Sequence, residues 1–236
     1  ILHDGSVYQA LDDDAVRDCC RRLSKQHVES VAISLLFSFV NPAHEKRVAQ
    51  IVAEEMPGVH ISCSHKVLPR APEYDRTSTT VVNAYVAPRV TSYLERLVTS
   101  LEEAGYQNQL MVMQASGGVM TREYIAGSPI RVLASGPAGG VIGSAHVGLA
   151  KGHPNLLCVD MGGTSYDISM VLNGTAPAVA GWNMHHRYLV GVPMVQVETL
   201  GAGGGSICHV NNGELQVGPA SAGAEPGPIC YGRGGT

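Results

Sequence analysis

The segment from Leu156 to Val171 limits the fold more than any other stretch of this chain. An apolar strand, Leu156 to Val159, runs into Asp160-Met161-Gly162-Gly163-Thr164, and Asp167 to Leu172 forms the strand that leaves it. Two adjacent glycines let a backbone turn tightly and approach an anion, with successive N–H groups aimed at it. Thr164 and Ser165 add hydroxyl donors. Asp160 stands at the strand end, where its carboxylate suits Mg²⁺, or water in its shell, against polyphosphate charge. Alone, the string also fits an ordinary hairpin that carries an aspartate.

Glycine and charge are distributed in opposite directions around this motif. Residues 1–116 hold three of the 28 glycines, and 25 of the 16 basic and 20 acidic side chains together. The remaining 25 glycines and 11 charges lie in residues 117–236. The first portion reads as a βα scaffold with solvated helix faces, the second as strands and glycine loops. With 44% hydrophobic residues the chain has enough apolar surface for a core, so disorder is excluded. A formal net charge of −4 speaks against a basic nucleic-acid face, and the apolar run Val31–Val40 is far too short to span a membrane. The six cysteines have no C-x-x-C pair and no zinc spacing, which fits a reducing, cytoplasmic setting. No signal peptide lies near Ile1, and the chain stops within Gly234-Gly235-Thr236, so it is expected to be a piece of a longer protein.

Along the chain, Val31–Val40 reads as a buried strand by β-branched content, Asn41-Pro42 opens a helix, and Val59–Ser64 alternates as a second strand. This is one βαβ unit with parallel strands. A helix is expected from Tyr74 to Ala104, broken or kinked at Pro88 and stopped by Gly105. Leu110–Gln114 is a strand, Thr121–Ala126 a short helix, and Ala138–Ala150 a small-residue helix. Asn173-Gly174 and Asn211-Asn212-Gly213 mark hairpins, the second joining Ile207–Val210 to Glu214–Val217, and Val192–Leu200 is a further strand. Gly218–Gly232 is too rich in glycine and proline for regular structure and is expected to order only against parts of the protein outside this chain.

The order of small-residue helix, strand, D-x-G-G-T and strand resembles the second half of the actin, sugar kinase and heat-shock ATPase fold. A narrower resemblance is to the hydantoinase A / 5-oxoprolinase family. It is carried by Leu36-Phe-Ser-Phe-Val-Asn-Pro-Ala-His-Glu45, Glu73-Tyr-Asp-Arg-Thr-Ser78, Ser135-Gly-Pro-Ala-Gly139 and Asp160-Met-Gly-Gly-Thr-Ser165, then by Gly201-Ala-Gly-Gly-Gly-Ser206 and Gly218–Gly232. Two departures are visible. Gln114-Ala-Ser-Gly-Gly118 stands where S-N-G-G is usual, and Tyr166 stands where threonine is commoner, so Tyr166 is left out of the expected phosphate contacts.

The resemblance implies an α/β, actin-like ATPase (ribonuclease H-like) fold, present in part, with a βαβ front half and a glycine-rich β back half. Residues 1–116 and 117–236 would both belong to one hydantoinase A-type domain, the latter with its second phosphate loop. It implies ATP and Mg²⁺ as cofactors, and phosphorylation of a lactam, imide, hydantoin or ketone carbonyl oxygen before hydrolysis or carboxylation. A hydantoinase B-type partner subunit and homo-oligomers are implied as well. Asp160 is the expected catalytic and metal-binding residue. Gly162, Gly163, Thr164, Ser165 and Asp167 would serve the phosphates, and Gly203 and Gly204 a second anion nest, although a flexible glycine turn also fits there. Related ATPases carry a carboxylate at the start of the small-residue helix, where this chain has Ser135-Gly136. An earlier phosphate loop and a later adenosine loop are not evident, so the fragment alone is expected to be inactive. An actin-like sugar or acid kinase and a non-catalytic subunit-interaction fragment remain as alternatives.

Other polar groupings read more plainly. His185-His186 lacks a third ligand at metal spacing, and His44-Glu45 is a helix-start polar pair without the second histidine of a metalloprotease. Glu73, Asp75 and Arg76 form either a salt-bridged helix start or a group facing a cleft.

Overall fold

The structure, a computed structural model, describes residues 1–183 and 188–235, and His185-His186 lies outside them. The chain forms two compact units, Ile1–Leu133 with Val179–Met194, and Ala134–Ala178 with Val195–Thr236. The division falls between Leu133 and Ala134, downstream of the compositional break after residue 116.

The first unit opens with α1 (Asp13–Ser24), which starts where the Asp12 carboxylate accepts the Ala15 N–H at 3.0 Å. β1 (Ser30–Ile33), α2 (Ala43–Glu55) and β2 (His60–Cys63) then form the expected βαβ unit. The two strands pair in parallel, Ser30 opposite His60 and Ile33 opposite Cys63. Cys20, Ile33, Ile51, Val52, Met56 and Cys63 make its core. A short α3 (Ser64–Val67) leads to α4 (Glu73–Glu103), which is continuous through Pro88. The helix is not broken at the proline, and Ala84, Ala87 and Leu94 are buried on both sides of it. Gly105, at φ 85°, ends it as expected.

The strand expected over Val31–Val40 stops at Ile33. From there the chain turns: Ser38 N–H donates to Leu35 O, and the Val40 and Asn41 N–H groups donate to Phe37 O. Charged side chains remote in sequence cause the change. Glu45 Oε1 accepts the Leu35 N–H at 2.9 Å, Glu73 Oε1 accepts the Phe37 N–H at 3.1 Å, and Arg76 Nη2 donates to Leu35 O at 2.7 Å. Backbone groups that a ladder would have paired are bonded to side chains of α2 and α4 instead.

Glu45 stands in the first turn of α2, as expected, but inside the core. It is completely buried and also accepts from Ser64 Oγ at 2.6 Å, His65 N–H at 3.0 Å and His65 Nδ1 at 2.7 Å. Burial pushes its carboxyl up, but the bonds from Ser64, His65 and Leu35 outweigh burial and hold it below its ordinary value. Arg76, equally buried, donates from Nε to Ser64 Oγ at 3.0 Å, pairs with Glu73 and lies over the Phe39 ring. The start of α4 is thus salt-bridged, with its arginine inside the core.

β3 (Met111–Met113) and β4 (Val119–Thr121) form a hairpin across Gln114–Gly118, followed by α5 (Arg122–Gly127), which Thr121 caps. Buried Asn83 ties α4 to both sides of this region: its Nδ2 donates to Ser62 Oγ, and its Oδ1 accepts the Ile130 N–H. Val67, Ala115, Ile130, Val190, Val192 and Met194 form a second core.

In the second unit, α6 (Ser135–Ala150) precedes β5 (Leu156–Met161) and β6 (Tyr166–Val171). The two-residue strands β7 (Ala178–Val179) and β10 (Met194–Val195) fall at the unit boundaries in sequence, β8 (Trp182–Asn183) and β9 (Leu189–Val190) between them belong to the first unit, and β11 (Glu198–Leu200), β12 (Ser206–Asn211) and β13 (Glu214–Ser221) follow in the second. β11, β6 and β5 form one antiparallel sheet, and β12 pairs with β13. Ala138, Val141 and Ala145 of α6 pack with Val171, Val195, Leu156 and Cys158. The helix comes so close that a Cβ on Gly148 would lie 2.6 Å from Leu156 Cδ1.

The strand expected over Val192–Leu200 is split at Gln196, whose N–H goes to Pro177 O and whose carbonyl accepts Ser169 Oγ. After the Asn173-Gly174 turn, Thr175 makes only a bridge to Leu172. Gly218–Gly232 is more ordered than expected: β13 runs to Ser221, the Ala222 N–H donates to Gly205 O at 2.7 Å, and Ile229–Tyr231 form a 3-10 turn. Among the described residues no helix is long and apolar enough to cross a membrane.

Candidate functional site

The hairpin of β5 and β6 is closed by four residues, Gly162 to Ser165, with the Gly162 N–H donating to Ser165 O at 3.0 Å. The next three amides, of Gly163, Thr164 and Ser165, have no backbone partner among the described residues. Successive N–H groups in a turn suit an anionic acceptor.

Register places the carboxylates beside it. Asp160 pairs directly with Asp167, so both side chains project from the same sheet face, the one covered by α6. Like charges directly opposite each other disfavour a sheet, and a cation between them removes that repulsion. Thr199 Oγ1 donates to Asp167 Oδ1 at 2.7 Å, fixing one member of the pair. Between α6 and the sheet lies a cavity of about 180 Å³, lined by Gly140, Ser144, Cys158, Asp160, Asp167 and Ser169. Tyr166 pairs with Met161 and points to the opposite face.

The second glycine loop meets this turn directly. Gly204 N–H donates to Gly162 O at 2.9 Å, and Gly205 N–H donates to Gly163 O at 2.8 Å. Gly203 N–H donates to Ser206 Oγ at 2.9 Å. The amides of Gly203 and Gly204, read from sequence as a second anion nest, are thus bonded within the protein, and the loop braces the first turn. A Cβ on Gly203 would lie 2.7 Å from both Gly162 O and Thr164 N, which only glycine avoids.

All eight residues singled out from sequence, Asp160, Gly162, Gly163, Thr164, Ser165, Asp167, Gly203 and Gly204, therefore gather at one turn within one unit. Ser135 and Gly136 begin α6 without a carboxylate. Thr199 was not singled out, and its only signal is a register visible in three dimensions. Among the described residues no group of three or more His, Cys, Asp or Glu side chains is placed to hold a metal.

Residues 76–236 match the family model Hydantoinase/oxoprolinase, and residues 1–56 match the Hydantoinase/oxoprolinase N-terminal region. The chain is 43% identical over 236 residues to caprolactamase subunit alpha of Pseudomonas jessenii, covering 100% of this chain and 34% of that protein. It is 36% identical over 239 residues to the acetophenone carboxylase gamma subunit of Aromatoleum aromaticum, covering 98% and 32%. The crystal structure of the ATP-dependent caprolactamase from Pseudomonas jessenii superposes with a TM-score of 0.84 at 42% identity, over 100% of this chain and 34% of that one. A nucleotide-free structure of acetone carboxylase gives 0.77 at 32%, over 95% and 32%. The chain thus spans about a third of these relatives, and its mixed α/β fold is of their actin-like ATPase type.

Proposed function

The chain belongs to the hydantoinase/oxoprolinase family, and from that premise we propose that it forms the phosphate-binding part of an ATP-dependent enzyme. In this reading the intact protein phosphorylates the carbonyl oxygen of a lactam, imide, hydantoin or ketone, activating it for hydrolysis or carboxylation. The three consecutive unbonded amides at Gly163, Thr164 and Ser165, beside the opposed Asp160 and Asp167, carry the reading. These amides hold phosphate oxygens, and the Thr164 and Ser165 hydroxyls add donors. Asp160 is the catalytic residue and, with Asp167 in support, holds Mg²⁺.

A pair of opposed carboxylates fits Mg²⁺, which is commonly bound through one or two carboxylates plus water and phosphate oxygens. When bound, Mg²⁺ neutralises phosphate charge. The chemical rationale is the leaving group, since an amide oxygen departs poorly and a phosphate well. A carbonyl oxygen needs no deprotonation to attack, which agrees with the missing carboxylate at Ser135-Gly136. Relatives named as alpha and gamma subunits support the presence of other subunits beside this one, and we read the partner as one of the hydantoinase B type, with homo-oligomers as a further part of the proposal. We read residues 1–116 and 117–236 as portions of one domain, with a cytoplasmic setting that suits the cysteines, all free among the described residues.

Asp160→Asn in the intact protein tests the reading. Substrate-stimulated ATP hydrolysis should fall by about 10²-fold or more, with thermal stability retained because the side chain is exposed. Wild-type turnover in this variant would overturn the assignment. Stimulation by sugars, and not by lactams, hydantoins or ketones, would make the enzyme a kinase instead.

A further inference from the structure

One more polar group stands at the turn. Tyr231 ends the 3-10 turn Ile229–Tyr231, and a Cβ built on Gly163 would lie 3.5 Å from its hydroxyl oxygen, an ordinary contact distance. The phenol oxygen therefore sits on the turn, beside the glycine whose amide is unbonded. Its ring is seated by Gly227, where a Cβ would come within 2.5 Å of Cδ2 and 3.1 Å of Cε2. The Arg233 guanidinium carbon lies 6.0 Å from the ring centroid, with Nη1 donating to Ala224 O at 3.4 Å. The hydroxyl itself makes no hydrogen bond to any described residue, and the residue is 46% exposed. A tyrosine ring held by packing, with its hydroxyl oxygen beside Gly163 and a guanidinium next to the ring, has a donor that no contact within the described fold uses.

We propose that Tyr231 is a ligand-binding residue of this site, its O–H donating to a phosphate oxygen of the bound nucleotide. The proposal rests on the reading of Gly162–Ser165 as the phosphate turn and adds a side-chain donor to its amides. A hydrogen bond to a charged acceptor is stronger than a neutral one, so its loss should be measurable in binding.

Tyr231→Phe isolates the hydroxyl, because phenylalanine keeps the ring against Gly227. It should be compared in the intact protein with Asp160→Asn, following ATP turnover, direct binding of ATP and of adenosine, and thermal unfolding. Tyr231→Phe is expected to weaken ATP binding about 10-fold or more, to leave adenosine binding unchanged and to unfold at the wild-type temperature. Wild-type ATP binding and turnover in Tyr231→Phe, while Asp160→Asn has lost turnover, would overturn the role of Tyr231 and leave the site assignment standing. An equal loss of ATP and adenosine binding, or a lowered unfolding temperature, would make the hydroxyl structural and likewise overturn it. If neither substitution affected ATP, the phosphate-turn reading itself would fall.

Discussion

The two units are organised on opposite principles. In the first, polar side chains enter the interior and fix the backbone: Glu45 and Arg76 are fully buried and between them hold Leu35, Ser64 and His65. In the second, the missing side chains matter: Gly148, Gly203 and Gly205 let strands, helix and loops approach until backbone meets backbone or a core methyl. Removing atoms should therefore damage the first unit, and adding them the second. A buried charge network resists substitution because each deletion strands its partners, whereas a glycine contact resists it because the space is already occupied.

The largest test is Glu45→Ala, which leaves Ser64, His65 and the Leu35 N–H without their acceptor. It should lower the unfolding free energy of the intact protein by about 3–5 kcal/mol, the range for breaking a buried pair, measured by denaturant titration. A cost below about 1 kcal/mol, typical of exposed ion pairs, would erase the contrast. Next comes Gly203→Ala, the smallest possible addition. The methyl group meets Gly162 O and Thr164 N, which are backbone atoms, so the proposed phosphate turn must shift. About 1–3 kcal/mol of stability should be lost, together with most of the ATP turnover. Full turnover would show that the brace does not set the turn.

The smallest effect is that of acid. Glu45 is held below its ordinary value, so its contribution is complete above the unfolded glutamate range near about pH 4.3 and disappears as pH falls through the lower folded value. Unfolding free energy followed from neutral pH downward should decline more steeply in the wild type than in Glu45→Gln. Parallel curves would assign the acid response to other groups.

What could be read from the sequence follows the same division. Local chemistry was legible: the βαβ unit, the Gly105 stop, the Asn212-Gly213 hairpin at positive φ, and the strand–turn–strand that aligns Asp160 with Asp167. Interactions across long sequence distances were not. The Val31–Val40 run has strand propensity throughout, yet Glu45, Glu73 and Arg76 take its backbone groups from Leu35 onward. Glu45 is the helix-start residue it looked like, but its burial depends on Ser64 and His65 and could not be read locally. Gly203 and Gly204 have the composition of an anion nest, and only the position of Gly162 and its neighbours shows where their amides are directed.

The path of the chain also imposes an order on its synthesis. Val190, Val192 and Met194 belong to the same core as Val67, Ala115 and Ile130, although most of the second unit's helix and sheet lies between them in sequence. A ribosome that has delivered the chain as far as Leu133 has made a body with an unfilled apolar gap. That body stays incomplete until α6, β5 and β6 have emerged. Premature termination anywhere before Met194 would thus release a product with exposed core surface, the kind of species that aggregates or recruits chaperones.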